Sequence, residues 1–139
     1  MITNLESHTT YPVDLMSVLM SANDNLLLSS VVVYLDDYDK AYRSWSAEEI
    51  KEILAGNGEF TFDLFGESTK AHKLKIVCTD AGGNEKSEEI KDFFVTTDAF
   101  VRYYNNKPLF FGSIAGATLL AALGVFMVVW MKRKNRRRV

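Results

Sequence analysis

The sequence predicts an all-β domain, an antiparallel β-sandwich with one short inserted helix, followed by a single transmembrane α-helix. Three observations carry that expectation. From Tyr11 to Thr97 short β-type runs alternate with turn residues at sandwich spacing. Ser46–Ala55 interrupts them with a helix start signal. Leu109 to Met131 then runs for 23 residues without a charge.

The elements follow in chain order. Pro12–Met20 (PVDLMSVLM) is apolar and partly alternating, and Ser21–Asn25 (SANDN) breaks it. Leu26–Leu35 (LLLSSVVVYL) is rich in β-branched residues and long enough for a buried strand. Gly58–Phe65 alternates, so that Phe60, Phe62 and Leu64 face one way and Thr61 and Asp63 the other. In His72–Thr79 the same alternation sends Leu74, Ile76 and Cys78 inward and Lys73 and Lys75 outward. Asp80–Asn84 (DAGGN) is a turn whose glycines and asparagine reach positive φ cheaply. Ile90–Val95 supplies a last strand.

The inserted helix opens with a capping box, Ser46 as N-cap and Glu49 three residues on. Ile50, Ile53 and Leu54 make its apolar stripe, and Gly56-Asn-Gly58 ends it. One such face suffices to lie on the rim of a sandwich.

Ser21–Asn25, Leu28–Asp36 (LSSVVVYLD), Gly58–Phe62 (GEFTF) and Lys75–Asn84 (KIVCTDAGGN) together resemble the bacterial Ig-like domains. The resemblance covers residues 12–97, and Asp80–Asn84 is its most specific piece. It implies an Ig-like sandwich of the kind carried in tandem on large Gram-positive surface proteins. The helix at Ser46–Ala55 is longer than the connection usual in that family.

At about 1.5 Å per helical residue, Leu109–Met131 reaches roughly 35 Å, enough to cross a hydrocarbon layer of about 30 Å. Ser113 and Thr118 are its only strongly polar side chains, and their hydroxyls can bond back to the preceding turn. Tyr103, Tyr104, Phe110 and Phe111 at one end and Trp130 at the other suit interfacial aromatic belts. The expected organisation is a linker over 1–11, the sandwich over 12–97, a juxtamembrane segment over 98–107, the transmembrane helix over 108–131 and a basic cytoplasmic tail over 132–139.

Charge sets the orientation. The 139 residues carry a net charge of -2, but the signs are segregated. All 18 acids lie in residues 1–107 against 10 bases, a net of -8 for that region. The other 6 bases, Lys132, Arg133, Lys134, Arg136, Arg137 and Arg138, directly follow the apolar run. Basic flanks stay on the cytoplasmic side, so the N-terminal domain is expected outside and the C-terminus inside. An acidic domain repels phosphate backbones, so nucleic acid is not an expected partner. The membrane is.

Two familiar signals are missing. No apolar run of signal-peptide length precedes residue 108, and the first Lys or Arg is Lys40. The expectation is therefore that this chain is the C-terminal portion of a longer surface protein. Before the apolar run stands Tyr104-Asn-Asn-Lys-Pro-Leu-Phe110, without the Leu-Pro-x-Thr-Gly that a sortase would cut. Attachment is expected through the membrane itself.

Chemistry is sparse. At 139 residues the chain is too short for a large enzyme barrel of about 250 residues. No nucleophile elbow, His-x-x-x-His pair or phosphate-cradling glycine loop is present. His8 and His72 read as surface histidines, and Cys78 as a small buried hydrophobe. Neither cofactor nor catalytic residue is expected. Asp24, Asp36, Asp37, Asp39 and Asp80, on turns taken to be neighbours, are weak candidates for calcium, which takes hard oxygen ligands. In the apolar run, Gly112 and Gly116 form a GxxxG motif, with Gly124 expected further along the same helical face, which would let two spans pack as a homodimer.

The expected function is a non-enzymatic single-pass surface protein, an Ig-like stalk or adhesion module meeting an extracellular ligand or neighbouring surface domains. One alternative is a small receptor or complex subunit that associates through its GxxxG helix. Another is the membrane anchor of a larger surface enzyme.

Overall fold

The computed structural model describes residues 1–22, 27–66 and 69–136. The chain divides into two compact units, Met1–Asp98 and Ala99–Val139. The first unit is built mainly of strands, β1 (Thr10–Tyr11), β2 (Leu15–Ser21), β3 (Leu28–Leu35), β4 (Ala41–Ser46), β5 (Glu59–Phe65), β6 (His72–Asp80) and β7 (Glu85–Val95), with helix α1 (Ala47–Ala55) between β4 and β5.

These strands form two sheets, one five-stranded in the order β1-β7-β6-β3-β4, the other pairing β2 with β5. In the small sheet Leu15 faces Phe65 at one end and Ser21 faces Glu59 at the other. Alternation does the rest: Val18, Met20, Phe60, Phe62 and Leu64 are buried. The large sheet contributes Val31, Val33, Leu74, Ile76, Ile90, Phe93 and Val95, and the inner faces of both sheets form one apolar cluster. Trp45 of β4 bridges them, its ring edge-on to Phe60 at 5.5 Å and to Phe62 at 6.2 Å.

The inserted helix forms with its predicted cap. Ser46 N donates to Glu49 Oε2 at 2.8 Å, and Glu49 N donates back to Ser46 Oγ at 3.4 Å. Ile50 is buried and Ile53 packs on the core, but Leu54 is 41% exposed. The stripe is narrower than expected: at about 100° per residue Leu54 lies on the flank of the face centred on Ile50 and Ile53.

Three features differ from the sequence expectation. Residues 1–11 are no linker. Ile2 and Leu5 are buried, Ile2 bridges to Met20, and Thr3 N donates to Leu19 O at 3.0 Å, so this segment closes the free edge of β2. Further on, Thr10 and Tyr11 pair in parallel with Phe94 and Val95. Two isolated apolar residues have no period, so nothing local announces their burial. Second, β4 (AYRSWS) is a strand that its residues do not advertise, since Trp45 alone is buried. Third, β7 begins at Glu85 rather than near Ile90. Its first residues are polar and exposed, and the turn before them holds them in register with β6.

That turn is built as predicted. Asp80 N donates to Asn84 O at 3.0 Å, and Gly83 adopts φ +82°. Asp80 also accepts from Asn84 N at 2.9 Å and Asn84 Nδ2 at 2.8 Å. These bonds hold its carboxyl below the usual range. At Gly66 the backbone approaches Val95 so closely that a Cβ would lie 2.3 Å from the valine Cβ and 2.4 Å from its carbonyl oxygen.

The second unit holds α2 (Ala99–Asn105) and α3 (Lys107–Arg136). Asn106 caps α3, its Oδ1 accepting from Leu109 N at 3.3 Å, while Pro108 sits in the first turn where no donor is needed. The helix runs past the expected end at 131, because Lys, Arg and Asn residues continue it without a breaker. Ser113 Oγ donates to Leu109 O at 2.7 Å and Thr118 Oγ1 to Ile114 O at 2.9 Å. Both polar side chains are thus satisfied within the helix itself.

Candidate functional site

The apolar helix is the feature with the clearest physical consequence. α3 has a mean hydropathy of 2.2 over its most apolar window and no buried residue, and is long and apolar enough to cross a membrane. Lys132, Arg133, Lys134 and Arg136 occupy its last turns, where cations also complement the helix dipole. Arg137 and Arg138 lie outside the described residues. Each end of the uncharged stretch carries a lysine over an aromatic ring: Lys107 Nζ stands 3.6 Å from the centroid of Tyr104, and Lys134 Nζ 5.1 Å from that of Trp130.

Gly112, Gly116 and Gly124 have nothing within 4 Å of an added Cβ. At about 100° per residue, Gly112 and Gly116 share a face, but Gly124 stands roughly 80° round from Gly116. The face that Gly112 and Gly116 share therefore excludes Gly124.

The acidic candidates divide. Asp36, Asp37 and Asp39 lie at the β3–β4 turn, whereas Asp80 pairs with Leu28 at the far end of β3. Eight strand residues, about 25 Å, separate the two ends. Asp24 lies outside the described residues. Two carboxylates of that turn have described bonds, one within it and one across to β6: Asp37 Oδ1 accepts from Asp39 N at 2.9 Å, and Asp36 accepts from His72 Nδ1 at 2.8 Å and Lys73 N at 3.1 Å. Among the described residues no three His, Cys, Asp or Glu side chains converge to hold a metal. The candidate calcium set is thus not one site.

His72 is not a surface histidine. Its side chain is only 11% exposed, its ring lies 5.8 Å from that of Phe93, and its buried Nε2 has no hydrogen-bond partner among the described residues. The signal was in the alternation: His72 shares the phase of Leu74 and Ile76, whose side chains point into the core. His8 is exposed, 3.6 Å from Asp92.

On the outer face of the large sheet the structure gathers residues that sequence reasoning left unconnected. Tyr38 donates its hydroxyl to Glu89, and Lys73 Nζ lies 4.4 Å and Lys75 Nζ 5.7 Å from its ring centroid. Burial and the bond to Glu89 push the Tyr38 phenol up to about 12. The bond from Tyr38 holds the Glu89 carboxyl below its ordinary range, with Lys91 adding to the effect.

Between the two sheets a cleft of about 500 Å³ opens beside Met1. Met20, Phe60, Ile76 and Cys78 are among its apolar lining residues. Its volume is in the range of small-molecule pockets, and its charged lining is mixed, Lys86 standing among Asp80, Glu85 and Glu88. No protein family, curated protein or solved structure matches this chain.

Proposed function

We propose that the chain is a non-enzymatic, single-pass cell-surface protein: an acidic Ig-like β-sandwich held outside the membrane by α3, its C-terminal end in the cytoplasm. The observation that carries this reading is α3, uncharged over Leu109–Met131 and closed by Lys132, Arg133, Lys134 and Arg136. The strand order supports the Ig-like part. β7, β6 and β3 lie side by side as G, F and C do in that fold, β4 takes the place of C′, and β2 and β5 pair as B and E. The helix α1 lies in the chain between β4 and β5, where that fold has further strands. The few residues between the end of the β unit at Asp98 and the apolar helix favour a stalk or membrane-proximal module, and the inter-sheet cleft is where such a module would take a small ligand.

The second reading is a subunit that pairs through Gly112 and Gly116, favoured by the open surface at both glycines. Protease applied to intact cells tests the first reading. The N-terminal domain is expected to be degraded and the tail protected. Survival of the domain with loss of the tail would reverse the orientation, and recovery of the full chain without detergent would end the membrane assignment.

A further inference from the structure

The approach to the apolar helix carries a surface that the anchor alone does not need. On α2, Phe100 and Tyr104 are four residues apart and so share one face, 69% and 47% exposed, while Val101 is buried. That face is joined to the start of α3 by rings. Phe110 meets Tyr104 at 5.1 Å and Tyr103 at 5.5 Å, both edge-on, and Phe111 follows at 5.6 Å. Lys107 completes the cluster by lying over the Tyr104 ring.

We propose that α2 lies at the membrane–water boundary, Phe100 and Tyr104 entering the glycerol and headgroup layer and Lys107 meeting lipid phosphate. The proposal rests on α3 crossing the membrane. Its occupant is a phospholipid interface rather than a protein because the exposed aromatic face is continuous with the uncharged helix. Phe110 belongs to both, and aromatic rings with a polar edge favour that layer. A lysine over a ring sets its ammonium against the ring face while its stem lies along apolar surface, which suits contact with lipid phosphates. The consequence is a short, seated junction: the end of the β unit at Asp98 is followed at once by a segment fixed to the lipid surface, not by a free tether.

Spin labels report depth directly. The full chain with Cys78→Ala is placed in phosphatidylcholine bilayers, with a nitroxide at Phe100→Cys, Tyr104→Cys, Val125→Cys or Glu48→Cys in separate samples. Collision with a water-soluble nickel chelate is compared with collision with oxygen. The expected result is nickel access at positions 100 and 104 several-fold below that at 48 and above that at 125. The Tyr104 label leaves Phe100 intact, so the reading does not depend on replacing that ring. If 125 is protected while 100 and 104 match 48, α2 stands in water and the proposal is overturned with the membrane span intact. If 125 is as accessible as 48, the span itself fails and the proposal falls with it.

Discussion

Asp36 and His72 meet across the β3–β6 pair, carboxylate to Nδ1 at 2.8 Å, with Asp36 at φ +61° and the far nitrogen of His72 buried with no partner among the described residues. The histidine works as an apolar plate against Phe93 with one polar edge. Its Nδ1 has a strong acceptor, whereas no described protein group pairs with its Nε2, and a buried polar atom left unpaired costs free energy. Asp36 also takes the Lys73 amide, so this one carboxylate ties the end of β3 to the start of β6.

Asp36→Ala removes two bonds and leaves both nitrogens of His72 unsatisfied, so it is expected to lower stability by about 1–2 kcal/mol. His72→Phe keeps the packing on Phe93 and deletes the unpaired nitrogen, and should cost less. Urea unfolding followed by Trp45 fluorescence ranks the two. The reverse order would mean that the buried imidazole is satisfied by water.

Gly66 lies where no side chain fits. Gly66→Ala places a methyl against the Val95 carbonyl, which is backbone and cannot rotate away. Overpacking of this kind costs about 1–3 kcal/mol. Gly66→Ala with Val95→Ala should recover little, because the clash with the carbonyl remains, and thermal unfolding of both variants decides it.

The Tyr38–Glu89 pair gives the fold opposite pH limits at its two groups. The Tyr38 phenol is raised from 10.0 to about 12, so its contribution is complete below pH 10 and lost as pH rises toward 12. Glu89 is lowered, so its contribution is present above its ordinary value of 4.5 and lost as pH falls through the folded one. Ultraviolet titration of tyrosinate should show one phenol ionising near 12, absent in Tyr38→Phe. With Glu89→Gln that phenol should ionise earlier.

The membrane reading predicts that the chain stays with membranes through alkaline carbonate washing. Leu119→Arg with Leu123→Arg should release it, since each arginine at mid-helix costs about 2.5–3.5 kcal/mol on insertion scales. A chain that sediments with membranes equally well with both arginines is not held by α3.

Self-association separates the two proposed readings. Gly112→Ile with Gly116→Ile closes the surface on which two helices could approach. For a solitary anchor, cross-linking in bilayers is expected to be the same before and after. Loss of a dimer on substitution would favour the subunit reading.

Much of this protein was legible in its residues because the deciding physics is local. The capping box at Ser46, the alternation of Phe60, Phe62 and Leu64, the Asp80–Asn84 turn and the uncharged run from Leu109 each satisfy nearby backbone or set a period that survives any context. Only the tertiary structure could decide the rest. It placed Ile2 and Leu5 in the core, made a strand of Ala41–Ser46 around one tryptophan, and set Asp36 against His72. It also sent Asp80 and Asp36 to opposite ends of one strand. Those outcomes depend on which distant segment lies opposite, and a lone apolar residue or carboxylate carries no period from which its partner can be read.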